Sequence, residues 1–254
     1  MKLENLTIGY GHHVVQKDLT LQIRSGEMVC VLGKNGCGKS TLLRTLSGLQ
    51  PALSGACIMP DGRNVSELSE REKAQNMAIV LTERLSADNT PVEDVVAMGR
   101  YPYSGWLGAL TDKDHKIIEE AMRQTEVLEK RHAYFNELSD GEKQRVLISK
   151  ALAQETPYIF LDEPTAHLDL PNRIKTLLLL RELAHKQNKA VVISTHELDL
   201  ALQTADVIWL MKPGAGIVVG TPKNLVENGY FQQAFDDPHF RFATTDGTLR
   251  IEIK

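Results

Sequence analysis

Eight consecutive residues carry the strongest chemical signal in the chain: Gly33-Lys34-Asn35-Gly36-Cys37-Gly38-Lys39-Ser40, followed by Thr41. The spacing is G-x-x-x-x-G-K-[ST], a phosphate-binding loop. Glycines at Gly33, Gly36 and Gly38 let backbone N–H groups turn inward around phosphate oxygens. The helix expected next offers its positive N-terminus to the anion. Lys39 supplies a point charge to the outer phosphates, and Ser40 supplies a hydroxyl to Mg²⁺. A second signal is Tyr158-Ile159-Phe160-Leu161-Asp162-Glu163, an apolar run ending in two acids. Asp162 at a strand tip suits Mg²⁺, and Glu163 can orient and deprotonate an attacking water. The second carboxylate argues for nucleotide hydrolysis rather than binding alone. A third is Leu138-Ser139-Asp140-Gly141-Glu142, where Ser139 suits a helix cap and Gly141 permits close backbone approach.

These residues need a scaffold. Met28–Leu32 is a continuous apolar run, expected of a strand buried on both faces. The spacing predicts a helix over Ser40–Leu49, with Leu42, Leu43, Leu46 and Leu49 on one face. Tyr158–Leu161, Ala190–Ser194 and Val207–Met211 read as further parallel strands. Between them Pro171 suits a first helical turn, followed by Ile174, Leu177, Leu178 and Leu183. Alternating strands and helices imply an α/β core with a mostly parallel sheet, whose ligands bind at the carboxyl ends of its strands. From Leu85 to Ala153 strong strand runs are missing. Thr111 caps a helix that carries Ile117, Ile118, Ala121, Met122, Thr125 and Leu128. Leu147, Ile148, Ala151 and Leu152 mark another helix after the Ser139 segment. The expected organisation is a nucleotide-binding core over 1–84 and 154–220, a helical insertion over 85–153, and an appendage over 221–254 that closes in a strand at Thr248–Ile253.

Composition sets the outer limits. The chain has 254 residues, 42 % hydrophobic and 24 % charged, with a net charge of −4. That excludes disordered and disulfide-scaffold classes and gives no basic excess for nucleic acid. The apolar runs are far shorter than the roughly 18–20 residues that span a bilayer. The first residues lack a leader pattern, so a cytosolic location is expected. Cys30, Cys37 and Cys57 fit no metal spacing and read as reduced thiols. Cys37 lies at a helix N-terminus, where a thiolate is favoured.

Taken together, the three segments resemble the ATP-binding cassette (ABC) transporter ATPases over nearly the whole chain. The resemblance implies a P-loop NTPase core with an N-terminal antiparallel β part and an inserted helical subdomain, with ATP and Mg²⁺ as ligands. Leu138–Glu142 is similar to the family's signature, with Asp140 in place of its usual first glycine. An acid there weakens phosphate attraction unless it points away or is paired. By the same resemblance Tyr10 stacks on adenine, Asp169 is the acid of the D-loop (Ala166–Asp169), and His196 is the switch histidine that contacts the γ-phosphate. The family places a glutamine after the strand near Met77–Leu81. Here Thr82 and Glu83 follow, and either presents oxygen to a metal or water, whereas Gln75 lies too early.

Each nucleotide is then sandwiched between Gly33–Thr41 of one copy and Ser139, Gly141 and Glu142 of a second, head to tail. The implied partners are multi-span permease subunits and, indirectly, a periplasmic binding protein. The implied location is the cytoplasmic face of the inner membrane. Val95–Tyr103 and Ser104–Gly108 resemble the ATPases of importers for ferric siderophores, haem or cobalamin. An aromatic loop packing on its own subdomain is the other reading of that stretch. A soluble ABC-type ATPase not coupled to transport is the alternative function.

Overall fold

The computed structural model describes residues 1–82, 87, 89–105, 108–166, 168–212, 214, 216–235, 239–245 and 248–253. At its centre is a sheet in the order β5-β6-β7-β3-β8-β9. It is built from β3 (Met28–Gly33), β5 (Met77–Val80), β6 (Tyr158–Asp162), β7 (Ala190–Ser194), β8 (Val207–Met211) and β9 (Ile217–Gly220). All neighbours run parallel except β8 and β9. Every residue of β3, β6 and β7 is buried. That explains their unbroken apolar spelling, since both sheet faces are covered.

Side-chain alternation along β3 divides the interior in two. Val29 and Val31 join Leu42, Leu43 and Leu46 of α1 (Lys39–Leu46) on one side, with Phe160 and Trp209. A second sheet, β2-β1-β4, covers that layer with Leu3, Leu6 and Ile8. It is antiparallel and consists of β1 (Lys2–Tyr10), β2 (His13–Gln22) and β4 (Ser54–Ile58). On the opposite side Cys30 and Leu32 meet a helical layer. This layer holds α3 (Val92–Ala97), α4 (Asp112–Gln124), α5 (Asp140–Ala153) and α6 (Leu170–Gln187). Each fully buried Leu, Ile or Phe in these layers contributes about 1.5–3 kcal/mol. The short α2 (Glu70–Asn76) leads into β5, and α7 (Leu198–Thr204) follows β7. After β9 come α8 (Pro222–Glu227), α9 (Tyr230–Phe235) and the hairpin of β10 (Phe240–Thr245) and β11 (Thr248–Ile253). Among the described residues no helix is long and apolar enough to cross a membrane.

Some sequence expectations shift. The helix after the phosphate loop stops at Leu46, and Gly48 takes φ +73°, so Leu49 lies beyond it and is 56 % exposed. In α4 the capping box of Thr111 and Asp114 forms as expected, but the helix ends at Gln124. Glu126 then turns left-handed at φ +58°, which places Leu128 in a separate turn. In α6 Pro171 stands in the first turn after the cap Asp169, and Leu177 and Leu183 are buried. Ile174 (40 %) and Leu178 (51 %) face outward instead. The terminal strand has a hairpin partner, β10, that its own pattern does not announce.

Arg100, 3 % exposed, ties α4 to the end of α5 within the helical layer. Its Nε donates to Asp114 Oδ1 (2.8 Å), and its Nη1 donates to Ala153 O (2.7 Å) and Glu155 Oε2 (2.9 Å). The guanidinium lies 4.2 Å over the Tyr103 ring. One residue on, the carbonyl of Pro102 accepts from both Arg71 Nε and Gln75 Nε2 of α2 at 2.9 Å. The Gly-Arg-Tyr-Pro segment therefore packs against its own helices. Trp106 and Leu107 lie outside the described residues.

Candidate nucleotide site

The loop after β3 is held open by what cannot fit inside it. A Cβ at Gly38 (φ +102°) would fall 2.2 Å from Val15 Cγ1, and one at Gly33 would fall 2.7 Å from Cys37 Sγ. Lys39 crosses the loop: its Nζ donates to Gly33 O at 3.0 Å and Lys34 O at 3.5 Å. These carbonyls take up donors that an anion could claim. Burial lowers the Lys39 pKa, opposed by the neighbouring Cys37, Glu163 and Asp162. Asn35, Gly36 and Ser40 are exposed at the rim, while Thr41 is buried. Tyr10, at the end of β1, is half exposed, and its hydroxyl accepts from Thr41 Oγ1 at 3.1 Å. Its ring is thus tethered beside the start of α1. The Cys37 thiol departs from expectation. Its side chain is buried, and that burial pushes its pKa up, outweighing Lys39 and the local backbone.

The acids sit at the carboxyl end of β6, beside the loop in the neighbouring strands' register. Asp162 is 5 % exposed, and its Oδ1 accepts from Ser194 Oγ at 2.5 Å. The same hydroxyl accepts the Glu163 N–H at 2.9 Å. Glu163 is left-handed at φ +50°, and its N–H also reaches Ser194 O at 3.2 Å. Such a turn in a non-glycine residue carries strain that its surroundings must hold. It aims Glu163 Oε1 at His196 Nε2, 2.5 Å away. Thr82 Oγ1 donates to the Asp162 backbone carbonyl at 3.0 Å, so the strand-end threonine reaches the metal-type acid. Glu83 lies outside the described residues.

The donors suit Mg²⁺. Asp162 and the Ser40 hydroxyl are hard oxygen ligands. Among the described residues no group of three or more His, Cys, Asp or Glu could hold a metal unaided.

The Ser139 segment occupies another part of the surface. Ser139 caps α5 and exchanges hydrogen bonds with Glu142, whose carboxylate accepts from the Ser139 N–H (2.9 Å) and Oγ (2.8 Å). These bonds hold the Glu142 carboxyl below its ordinary pKa, helped by Lys130. A Cβ on Gly141 would meet Leu168 Cδ2 at 3.4 Å. Asp169 next to it caps α6 by accepting the Asn172 N–H at 3.1 Å. Arg173 Nε donates to Leu168 O (2.6 Å), and Arg173 Nη1 pairs with Glu197 Oε1 (3.3 Å). Glu197 also accepts from Thr165 Oγ1 at 3.2 Å. The residue after His196 is thereby joined to the segment that carries Asp169.

Three positions were not assigned from the sequence: Ser194, Glu197 and Gln16. Ser194 ends a strand legible in the sequence and Glu197 follows His196, and their polar character is the only signal. Gln16 reads as an outward polar residue of a strand, yet it is 1 % exposed and bonded to the loop.

The ABC transporter family matches residues 16–166. An uncharacterized ABC transporter ATP-binding protein of Methanocaldococcus jannaschii is 38 % identical over 99 % of this chain and 87 % of its own. The iron(3+)-hydroxamate import ATP-binding protein of Bacillus subtilis is 34 % identical, covering 92 % of this chain and 87 % of its own. Among solved structures, an inward-facing ABC transporter ascribed to the metal-chelate type superposes with a TM-score of 0.79 at 28 % identity. That match covers 100 % of this chain and 96 % of the other. A dimeric bacterial ABC transporter cassette, MJ0796, gives 0.75 at 28 % identity over 87 % of this chain and 98 % of its own.

Proposed function

Because the chain belongs to the ABC transporter ATP-binding family, we propose that it is the ATP-hydrolysing subunit of an importer for an iron chelate or cobalamin. The observation that carries this reading is one cluster at the carboxyl ends of three adjacent strands. β3 brings the loop and Lys39, β6 brings Asp162 and Glu163, and β7 leads to Ser194 and His196.

In this reading Lys39 exchanges the Gly33 carbonyl for phosphate oxygens, and the loop N–H groups cradle the rest. Water attacks the γ-phosphorus while the bond to the β–γ bridging oxygen breaks, and Glu163 takes the water's proton. His196 holds the Glu163 carboxylate and faces the γ-phosphate. Asp162 and the Ser40 hydroxyl, with Thr82 bonded to the Asp162 carbonyl, would hold Mg²⁺, which would supply positive charge against the phosphates. Tyr10 supports the base. Positioning and charge, not covalent chemistry, then supply the acceleration.

A second copy presents Ser139, Gly141 and Glu142 to the nucleotide, and Asp169 lies at the same face. ATP bridges the two copies, and hydrolysis removes the bridge. The change does mechanical work only through contacts that differ between the two states. Those contacts belong to separate multi-span permease subunits, which place this chain at the cytoplasmic face of the membrane, with a periplasmic binding protein delivering cargo. The core over 1–84 and 154–220 would hold the nucleotide, the helices over 85–153 would carry the signature, and 221–254 would be an appendage. The named import roles of similar proteins support the cargo class.

The test pairs phosphate release with co-purification. Wild type should release phosphate from ATP, and Glu163→Gln should bind ATP but lose at least about a hundredfold in turnover. A multi-span membrane protein should co-purify. Equal turnover in Glu163→Gln would remove Glu163 from the chemistry, and turnover without any membrane partner would favour an uncoupled ATPase.

A further inference from the structure

Gln16 lies on β2, outside the three motifs, in a strand whose neighbouring positions Lys17 and Asp18 are exposed. Its side-chain amide is fully used. Nε2 donates to the Cys37 carbonyl (3.3 Å) and to the Lys212 carbonyl (2.7 Å), and Oε1 accepts the Gly216 N–H (3.1 Å). One buried amide therefore ties the middle of the phosphate loop to the turn between β8 and β9. The preceding residue, Val15, fills the space against Gly38.

The consequence follows from peptide geometry. The Cys37–Gly38 peptide is trans, since no cis bond occurs among the described residues, and in a trans peptide the C=O and N–H point in opposite directions. With the Cys37 carbonyl drawn toward β2 by Gln16, the Gly38 N–H is turned away from β2. Lys39, the next residue, spans the loop with its Nζ on the Gly33 and Lys34 carbonyls. Cys37 N–H is already committed to Lys34 O at 3.3 Å. Gly38 needs this help because its φ of +102° and lack of a side chain leave its peptide free to flip.

We propose that Gln16 is a positioning residue for phosphate binding: it fixes the orientation of the Cys37–Gly38 peptide so that the Gly38 N–H faces the bound phosphates. This rests on the ATP-binding reading above. An apolar residue of equal size in its place leaves the Cys37 carbonyl without that partner, and the peptide loses its fixed orientation. The loss belongs to the phosphates, not to the adenine that Tyr10 would hold.

The test uses the full chain as wild type, Gln16→Met and Gln16→Glu. Binding of ATP and of inorganic tripolyphosphate, which lacks a base, is measured by calorimetry with magnesium present. Steady-state ATPase kinetics follow. Gln16→Met should weaken both ligands about tenfold, the size of one lost hydrogen bond to an otherwise unpaired group. KM should rise by a similar factor, with kcat falling less than threefold. Gln16→Glu keeps an acceptor for Gly216 but turns carboxylate oxygens on two carbonyls, and should lose at least as much. It also decides the matter should the Met variant fail to fold. A folded variant that binds tripolyphosphate within twofold of wild type overturns the proposal, even where ATP affinity drops. Wild type that binds neither probe overturns the ATP reading instead.

Discussion

Replacing Arg100 with Met keeps an unbranched apolar stem of similar reach and removes the guanidinium. Three acceptors lose their donor at once: Asp114 Oδ1, Ala153 O and Glu155 Oε2. The cation over Tyr103 is lost as well. Breaking one side of a buried ion pair costs about 3–5 kcal/mol. Two features pull this case to the lower end. Asp114 Oδ2 keeps its bonds from Thr111 Oγ1 (2.6 Å) and N (2.9 Å), and Glu155, with 48 % of its side chain exposed, can turn to water. The expected cost is about 3 kcal/mol. For a chain of this length each kcal/mol lowers Tm by about 2–4 °C, so thermal unfolding followed by circular dichroism should show a fall of about 6–12 °C. Arg100→Lys should fall nearly as far, because a single ammonium cannot reproduce the fork that reaches three acceptors. At 15 °C both variants should still bind ATP, as Arg100 does not touch the loop. A fall under about 2 °C in Arg100→Met would show that the cluster is not what ties α4 to α5.

Ser194→Ala should lower kcat about tenfold or more with little change in ATP affinity, because one hydroxyl holds both Asp162 and the strained Glu163 peptide. Ser194→Thr should recover most of the rate, and a kcat within twofold of wild type in the alanine variant would exclude that role. Asp114 should impose an acid limit. Thr111's hydroxyl and N–H, then Arg100, hold its carboxyl down to about 2 from an ordinary 3.8. The folded value lies below the unfolded one, so this stabilisation, about 2 kcal/mol, is present above pH 4 and is lost as pH falls toward 2. Urea unfolding of Asp114→Asn should show a shallower stability slope than wild type across that window. Maleimide labelling of Cys37, mapped by mass spectrometry, should be slow at neutral pH and faster as pH rises, because burial lifts its pKa. The labelled chain should not hydrolyse ATP, and ATP should protect. Full activity after stoichiometric labelling would contradict this.

Local rules made much of the site readable. Met28–Leu32 and Tyr158–Leu161 have no polar interruption because both faces of a central parallel strand are covered. Thr111 and Ser139 each sit three residues before an acid, and both capping boxes form. What escaped depends on distant chain. Gln16 lies in a strand with exposed polar neighbours, but its partners are Cys37, Lys212 and Gly216, the last two about two hundred residues away. Leu49 and Leu128 keep helical spacing past the points where Gly48 and Glu126 turn left-handed, so periodicity ran through a stop that only the backbone reveals. Ile174 and Leu178 are apolar yet outward, which no single-helix pattern separates from their buried neighbours. The raised Cys37 pKa arises because burial outweighs the attraction of a helix N-terminus and Lys39.

The apolar interior beneath the sheet runs without a seam from Leu161 and Ile193 into Val95, Val96, Ile118 and Met122 of the overlying helices. A layer bonded in this way cannot lift off like a lid without wetting both surfaces, at about 25 cal/mol for each Å² uncovered. Any rearrangement of α3–α5 over the strands should therefore be a slide of a few ångströms that keeps apolar atoms in touch. For the same reason the stretch from Val92 to Ala153, cut out and expressed by itself, should collapse into aggregates rather than stand as a small protein.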